Sequence, residues 1–276
     1  MALFYKKPLT EELLTDIRSG TSFVKADPQN IGSLIWYDSD NYLQEPKEKA
    51  DRPKLLAKLM GAVSGAYKGS ELFVGTEGFA EYHFVKTRDN FDAIKEIRYE
   101  EVSILAVLLK ITDNDDDDLR AQRDFDIAFL PQPDSDGTAK SLYYCHCLGK
   151  TVGFHFMAKA EDEFTVRVAD RARQALEAGK PFPFYAVKQQ GKDGDSWIAE
   201  EAVCLHPDGI YFDGQLYEGD ALKRVRLWED KLEFVGESPG AMFRRSRNPV
   251  LPLEGLGNRK AFQLLLAERY GIKRSY

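Results

Sequence analysis

Short segments with the composition of β-strands follow one another between residues 71 and 157, and they constrain the fold more than any other feature. In order they read LFVG, FAEYHFV, AIKEIRY, EVSILAVLLKI, RDFDIAFL, SLYYCHCL and TVGFHFM. In RDFDIAFL, Phe125, Ile127 and Phe129 alternate with other residues, which is the period-two pattern of a half-buried antiparallel strand. The segment 102–111 is apolar at nearly every position, so we expect it near the centre of a sheet. The pattern predicts a mainly β, antiparallel region.

The stretch LFVGTEGFAEYHFVK at 72–86 raises a choice between a phosphate-binding loop and a hairpin turn. Its glycines, Gly75 and Gly78, lack the G-x-G-x-x-G spacing of kinase loops, and Glu77 would place a negative charge where phosphate oxygens lie. No G-x-x-x-x-G-K-[ST] motif occurs in the chain. The stretch therefore predicts a β-hairpin turn in which Gly78 takes a positive φ angle.

A second segment, VCLHPDGIYF at 203–212, repeats this order of an apolar run, an acid–glycine pair and further apolar residues. A Tyr-Glu pair follows each hairpin, Tyr99-Glu100 in the first and Tyr217-Glu218 in the second. The two copies lie about 130 residues apart, more than the roughly 20 to 50 residues of solenoid repeats. We interpret them as two copies of one domain.

Helical periodicity appears at four places. It predicts helices at 9–18 and 52–67, the second with lysines mostly off its apolar face. Helix 161–178 should bury Phe164, Val168, Ala172, Ala175 and Leu176. The last helix should begin after Asn258 as its N-cap, stop at Gly271, and bury Phe262, Leu265, Leu266 and Tyr270.

The C-terminal third of the chain also contains strand-like segments. Strands are predicted at 197–205, 210–217, 221–228 and 231–236, with another near 242–250. The segment 180–196, KPFPFYAVKQQGKDGDS, precedes them and is interpreted as a domain junction.

Seven short strands closed by one C-terminal helix resemble the plan of pleckstrin-homology-like (PH-like) domains. Residues 71–179 resemble it, including the GRAM-like habit of a turn glycine followed by a Tyr-Glu strand at 99–102, and 183–272 look like a shorter copy. The resemblance implies an α+β class, mainly β, with two antiparallel β-barrel or sandwich domains each closed by a helix. It places them at 69–180 and 181–276, behind a helical segment 1–68, so 181–276 should fold alone.

Composition bounds the compartment and the partner class. The net charge of −7 argues against bulk binding to nucleic acid. The start of the chain lacks the apolar core of a secretory signal, and no window approaches the roughly 18 to 20 apolar residues of a spanning helix. The three cysteines are too few for a disulfide framework. We expect a soluble cytoplasmic protein.

Two segments invite a metal-binding interpretation, and neither fits. In a strand, Cys145 and Cys147 point to one face and His146 to the other, so the three cannot converge on one ion. A hairpin turn at 149–150 would set the cysteines against Phe154 and Val152 in a core, with His146 and His155 on the opposite face. The acidic run 113–118 lacks the Gly and Glu that an EF-hand loop needs at positions occupied by Asp118 and Asp124, so we interpret it as a solvated loop and leave weak cation binding open. No metal or cofactor is expected.

Sequence motifs give little support for a catalytic role. The chain contains no H-E-x-x-H, and its four histidines fall on predicted strands or turns. We therefore predict no catalytic residues.

Basic side chains in the C-terminal part carry the binding hypothesis. In the segment 223–228, alternation puts Arg224, Arg226 and Trp228 on one face of a strand, and Arg and Trp are frequent at binding hot spots. Further basic residues follow in a nearby segment: Arg244, Arg245 and Arg247. These six residues are the candidate partner-binding set. The alternative is an outer face charged for solubility, with Trp228 covered by its neighbours.

The sequence therefore predicts a non-enzymatic interaction module that binds an unidentified, acidic protein partner. One alternative is a peripheral membrane adaptor that uses helix 52–67 or the C-terminal basic cluster, and another is a hydrolase of unknown type. The inositol-phosphate binding of some PH domains is not carried over, because the two hairpin turns read Thr76-Glu77 and Pro207-Asp208 rather than Lys or Arg.

Overall fold

The computed structural model describes residues 30–41, 68–85, 91–112, 122–148, 152–191, 193–235 and 248–274. The predicted helices 9–18 and 52–67 and the acidic run 113–118 lie outside these residues. The described residues are mainly β with a smaller share of helix, which confirms the predicted class. Their strands form four antiparallel sheets, none of which closes into a barrel in the part of the chain described.

The strands and helices are numbered in chain order. The first eight strands are β1 Leu34–Asn41, β2 Lys68–Gly75, β3 Gly78–Val85, β4 Phe91–Arg98, β5 Ile104–Thr112, β6 Gln122–Leu130, β7 Thr138–Lys140 and β8 Tyr143–Leu148. Helix α1, Val152–Glu177, follows them. The rest are β9 Phe182–Gln190, β10 Ser196–His206, β11 Gly209–Phe212, β12 Gln215–Glu218, a 3₁₀ helix Gly219–Arg224, β13 Val225–Leu227, β14 Lys231–Phe234, β15 Val250–Pro252 and helix α2 Arg259–Tyr270.

The chain divides into two compact units whose bounds differ from the predicted domains. The first unit contains the described residues of Met1–Glu101 and Lys150–Ala160. The second contains those of Val102–Gly149 and Glu161–Tyr276. The predicted domain boundaries, after residue 68 and after residue 180, do not coincide with the division between these two units.

The first unit is built on a four-stranded sheet in the order β1-β2-β3-β4. Tyr37, Phe73 and Tyr82 pack together on one face, and Phe79 packs against Phe156 of α1 on the other. Strand β1 falls in the segment that was predicted to be helical. Strand β1 pairs with β2, and this pairing sets Tyr37 opposite Phe73. Because the two strands are far apart in the chain, the periodicity of the local sequence does not reveal that β1 has a partner.

Both predicted hairpins form, but for a different reason than expected. Thr76-Glu77 joins β2 to β3 as a two-residue turn, yet Gly78 is not among the glycines with positive φ. A Cβ on Gly78 would lie 2.3 Å from the carbonyl oxygen of Ile97 on the next strand. Gly209 has the same constraint, since its Cβ would lie 2.4 Å from the carbonyl oxygen of Tyr217. Close approach of a neighbouring strand therefore requires glycine at both positions.

The two Tyr-Glu pairs do not occupy matching positions after these hairpins. Gly78 is paired with Arg98, so Tyr99 lies one residue beyond the paired position. Gly209 is paired with Glu218, so Tyr217 lies one residue before it. The geometry common to the two segments is the hairpin and its third strand.

Helix α1 begins at Val152, so the predicted strand TVGFHFM is wrong. Val152, Phe154 and Phe156 fit the period of a strand, but the buried residues Phe156, Met157 and Ala160 continue the helical face toward Phe164. Both periods fit a segment this short, and burial selects the helix. The predicted pairing of Cys145 and Cys147 with this segment therefore does not form, and His155 lies on the helix. Of the predicted inner face, Phe164, Val168, Ala172 and Leu176 are buried.

The second unit contains three sheets. Their orders are β5-β6-β8, then β12-β11-β10-β7 with β9 also paired to β10, and β13-β14-β15. The run 102–111 was expected near the centre of its sheet. Most of it forms β5, which lies at one end of the strand order β5-β6-β8, and β6 is the central strand. The predicted strand 210–217 is divided by a turn at Asp213-Gly214. The segment 180–196, predicted as a junction, contains all of β9.

One apolar cluster spans the expected domain boundary at residue 180. It joins Ile104, Ala106, Ala128, Leu130 and Ala139 to Val187, Trp197 and Ala199. Strand β7 also pairs with β10, with Ala139 opposite Trp197. Trp197 is 0% exposed, so its burial depends on residues from both sides of the boundary.

Asn258 adds a second link across the same boundary. It precedes α2 in the left-handed region at φ 58° and makes no side-chain cap bond, contrary to its predicted N-cap role. Its Oδ1 instead accepts from the backbone N–H of Leu105 at 2.8 Å, and its Nδ2 donates to the carbonyl of Ser103 at 2.9 Å. Helix α2 ends at Gly271 as predicted, and its buried face includes Phe262, Leu265 and Leu266.

We expect the isolated fragment 181–276 not to fold, because it lacks β7, the residues of β5 and β6 that cover Trp197, and the backbone partners of Asn258. Its amide proton spectrum should show poor dispersion, whereas the full chain should give a dispersed spectrum under the same conditions. A well-dispersed fragment spectrum would restore the predicted boundary at residue 180.

Candidate functional site

The hairpin β13–β14 carries two of the residues that the sequence selected for partner binding. Arg226 is paired with Glu233, and the backbone N–H of Trp228 donates to the carbonyl of Lys231 at 2.8 Å. Because directly paired residues point to the same face of a sheet, Arg226 and Glu233 share one face with the pair Trp228 and Lys231.

The sheet β13-β14-β15 separates buried from exposed residues by strict alternation. Its inner side chains are all buried and comprise Val225, Leu227, Leu232, Phe234 and Leu251. The other face, here called the outer face, comprises Arg226, Trp228, Lys231, Glu233, Val250 and Pro252. The apolar inner face fixes the sheet in the core and leaves the outer face available for contacts.

Trp228 is held in place by its neighbours on the outer face. Its Nε1 donates to Glu233 Oε2 at 3.3 Å, and Asn248 Nδ2 donates to Glu233 Oε1 at 2.8 Å. The ammonium group of Lys231 lies 5.9 Å from the centre of the Trp228 ring. The hydrogen bond from Asn248 lowers the pKa of Glu233, and Trp228, Lys231 and Arg226 act in the same direction. Glu233 therefore stays ionised and anchors the indole.

The structure does not bring the other candidates onto this face. Arg224 is half-buried at the end of the 3₁₀ helix, so the strand alternation that would align it with Arg226 does not apply. An ion pair between Asp220 and Lys223 at 2.7 Å, three residues apart, is compatible with this helical turn. Arg244, Arg245 and Arg247 lie outside the described residues.

A second polar cluster was missed in the sequence. Asp126, in the middle of β6, alternates with the apolar residues Phe125 and Ile127, yet it is 0% exposed. Its Oδ1 accepts from Tyr144 Oη at 2.9 Å and from His146 Nδ1 at 2.8 Å, both on the neighbouring strand β8. With its amide oriented to satisfy both ends, Gln189 donates to Asp126 Oδ2 at 3.1 Å and accepts from the backbone N–H of Gly194 at 3.2 Å. Three donors therefore compensate the burial of one carboxylate.

This cluster has the chemistry of a carboxylate–imidazole pair. His146 carries its proton on Nδ1, because the Asp126 carboxylate can only accept, and its side chain is 46% exposed. An imidazole held in this way can act as a general base toward a nearby group. In the described part of the chain, however, no serine, threonine or cysteine side chain is hydrogen-bonded to His146. Among the described residues, the pair therefore has no hydroxyl or thiol placed to act as its nucleophile.

Sequence reasoning missed this cluster because it depends on strand register. Asp126 lies opposite His146, and Ala128 lies opposite Tyr144. The only local signal was an acid between the apolar residues Phe125 and Ile127, which alternation alone interprets as a solvent-facing position.

The cysteines beside this cluster point away from it. The Sγ atoms of Cys145 and Cys147 are 3.0 Å apart, while His146 turns to Asp126, as strand alternation predicted. Among the residues that the structure describes, no three His, Cys, Asp or Glu side chains come together as a metal site. Likewise, none of the helices in these residues is long and apolar enough to span a bilayer.

Compared with protein families, with curated proteins and with solved structures, the chain matches none. The PH-like plan and the binding function therefore stay predictions from this chain's own residues.

The buried cluster predicts a pH dependence. Burial, followed by the hydrogen bond and charge of Asp126, raises the pKa of Tyr144 from 10.0 to about 12. The folded state favours the neutral phenol, so this contribution to stability is complete below pH 10 and is lost as the pH rises to about 12.

Tyr144→Phe should therefore reduce the pH dependence of the free energy of unfolding between pH 10 and 12. The measurement is urea unfolding at several pH values, with Tyr211→Phe, an exposed tyrosine outside the cluster, as the matched control. An unchanged pH profile for Tyr144→Phe would contradict the assignment.

Proposed function

We propose that this chain is a non-enzymatic interaction module and that the outer face of its C-terminal sheet binds an acidic segment of another protein. The observation that carries the proposal is the ordered Trp228 beside the exposed Arg226 on a sheet whose opposite face is fully buried. The partner is identified by its chemistry alone.

The composition of the outer face supports a protein partner. Tryptophan and arginine are the residues most enriched where a few side chains carry most of the binding energy. Val250 is 41% exposed and Pro252 is also exposed, so apolar surface lies beside the polar residues. Apolar and aromatic area near the centre with charges around it is the usual arrangement of a protein–protein interface.

Preorganisation of Trp228 supports the same conclusion. An aromatic ring that is already fixed loses less side-chain entropy on binding than a mobile one. Glu233 and Asn248 supply that restraint through hydrogen bonds at 3.3 and 2.8 Å. The ring is half-buried, so part of it remains available to a ligand.

The charges of the outer face favour an acidic ligand. No hydrogen bond or ion pair with another described residue occupies the Arg226 side chain. The one acid on this face, Glu233, already accepts from Trp228 and Asn248. In addition, the connection between β14 and β15 carries Arg244, Arg245 and Arg247 in its sequence. Complementary charge raises the rate of association and selects against basic partners.

Two PH-like modules remain our proposal for the architecture. Two features support it. The first is the shared geometry of the two hairpins: each has a two-residue turn, a glycine packed against a neighbouring carbonyl oxygen, and a third antiparallel strand. The second is that helix α2 follows the last strands. The proposal concerns the plan of the chain and not lipid binding, because the hairpin turns carry no basic residue.

Arg226→Glu should weaken binding to acidic peptides by about tenfold or more and make the remaining binding less sensitive to salt. The thermal midpoint should stay unchanged, because exposed substitutions usually cost within about 0.5 kcal/mol. The measurement is a fluorescence titration of the full chain with acidic, neutral and basic peptides of equal length. Lys180→Glu reverses an exposed charge outside the outer face and is the matched control. Equal binding of the three peptide classes, or equal loss in both variants, would refute the proposed surface.

Trp228→Ala should lower the affinity for acidic peptides by about 2 kcal/mol or more, as hot-spot truncations do. Its stability should fall by less than that of Trp197→Ala, because removal of a fully buried aromatic costs about 3 to 5 kcal/mol and Trp228 is only half-buried. Chemical unfolding and the same titration measure both effects. If Trp228→Ala destabilises the chain as much as Trp197→Ala and binds peptides normally, Trp228 belongs to the core and the proposal fails.

A further inference from the structure

Arg171 on helix α1 carries a positive charge in largely apolar surroundings. The side chain is half-buried, and its Nη1 donates to the backbone carbonyl of Val102 at 3.0 Å. Its Cζ atom lies 5.5 Å from the centre of the Phe164 ring. Val102 and Phe164 are both buried. Neither the outer face nor the Asp126 cluster includes this arginine.

One edge of the guanidinium has no hydrogen-bond acceptor. Nε and Nη2 are buried, and in the part of the chain that the structure describes no oxygen accepts from either atom. Their N–H bonds lie on the same side of the guanidinium and run nearly parallel, which is the fork that binds both oxygens of a carboxylate. Buried donors without an acceptor are rare in folded proteins. The two donors that lack an acceptor are therefore a matched pair.

The charge of Arg171 is also unbalanced. Arg173, two residues later on α1, shows the usual arrangement, with Asp170 at 2.6 Å and Glu268 of α2 at 2.8 Å. Among the described residues no carboxylate forms an ion pair with Arg171. Burial, followed by the charge of Arg167 one turn earlier, lowers the pKa of Arg171. A carboxylate beside the guanidinium would act in the opposite direction.

We propose that the Nε and Nη2 edge of Arg171 binds the carboxylate of a small organic acid. A planar carboxylate offers two oxygens to the two parallel N–H bonds, and its single negative charge balances that of the guanidinium. The apolar neighbours Val102 and Phe164 favour an acid with an organic body over a strongly hydrated inorganic ion.

The partial exposure of Arg171 gives the acid a way in. The long stem of arginine lets the guanidinium move toward water while the stem stays against apolar residues. Because the two fork atoms themselves are buried, a small free acid reaches them more readily than a carboxylate on a polypeptide chain. The ligand is therefore a free acid rather than a protein partner.

The test is a titration of the full chain with sodium acetate, with the ionic strength held constant by sodium chloride. The nitrogen–proton NMR resonance of the Arg171 Nε group, identified by its loss in Arg171→Lys, reports directly on the fork. It should shift with acetate in a saturable way. The thermal midpoint should rise over the same concentration range, because acetate stabilises only the folded state.

Variants separate the fork from the charge. Arg171→Lys keeps the charge without the fork and should weaken acetate binding by about tenfold or more, measured from the thermal midpoint. Arg171→Leu should fold with a midpoint equal to or above wild type without acetate, since replacing a buried unpaired charge is often stabilising, and acetate should not raise it. Arg173→Lys changes an arginine that is already paired and should bind acetate as wild type does.

Four outcomes would overturn the proposal. In the first, the Arg171 resonance of wild type shows no saturable shift, which means that water alone satisfies the fork. In the second, Arg171→Lys or Arg171→Leu responds to acetate as wild type does. In the third, Arg173→Lys loses as much binding as Arg171→Lys. In the fourth, an acidic peptide shifts the Arg171 resonance more than acetate at equal carboxylate concentration, which assigns the fork to a protein partner.

Discussion

The close packing of Gly194 against the ring of Tyr144 is the contact on which most of the second unit depends. A Cβ at Gly194 would lie 2.3 Å from the Tyr144 ring, and its φ of 76° suits glycine. Its carbonyl accepts from Trp197 Nε1 at 2.8 Å and from Ser141 Oγ at 2.9 Å, while its N–H reaches Gln189. One turn therefore satisfies the only polar atom of the largest buried side chain and positions two of the three donors around Asp126. Any side chain at this position would disturb the apolar core and the polar cluster together.

The described residues of the second unit carry two polar clusters, and they differ in what they can do. The Asp126 cluster buries its carboxylate and leaves His146 as its most exposed member, which suits a structural role in fixing the register of β6 and β8. The outer face of β13-β14-β15 keeps its charges and its indole at the surface while five apolar side chains anchor it from behind. A half-buried aromatic ring beside an exposed arginine suits the binding role that we propose for this face.

Sequence patterns predicted those parts of the structure whose cause is local. The strand predicted at 197–205, the apolar face of α1 beyond Phe164, the two-residue turns and the stop at Gly271 all follow from neighbouring residues. The failures have non-local causes. Strand β1 needs β2 as a partner, residues 152–157 satisfy two periods at once, and the burial of Asp126 depends on which residue of β8 lies opposite. On the outer face, Arg226 and Trp228 follow from alternation, whereas Lys231, Glu233 and Asn248 enter through pairings that no single segment encodes.

The two side-chain hydrogen bonds of Asn258 have a consequence for biosynthesis. The backbone groups that it binds belong to residues 103 and 105, which leave the ribosome more than 150 residues earlier. Until Asn258 is made, the backbone groups of Ser103 and Leu105 lack these partners, and the apolar cluster of Ile104 and Ala106 stays incomplete until Ala199 is made. Contacts of such large sequence separation slow folding, and the emerging chain carries an incomplete apolar surface through most of its translation. Nascent chains arrested before Asn258 should therefore be the preferred substrates of chaperones, and release should coincide with the emergence of the final helix.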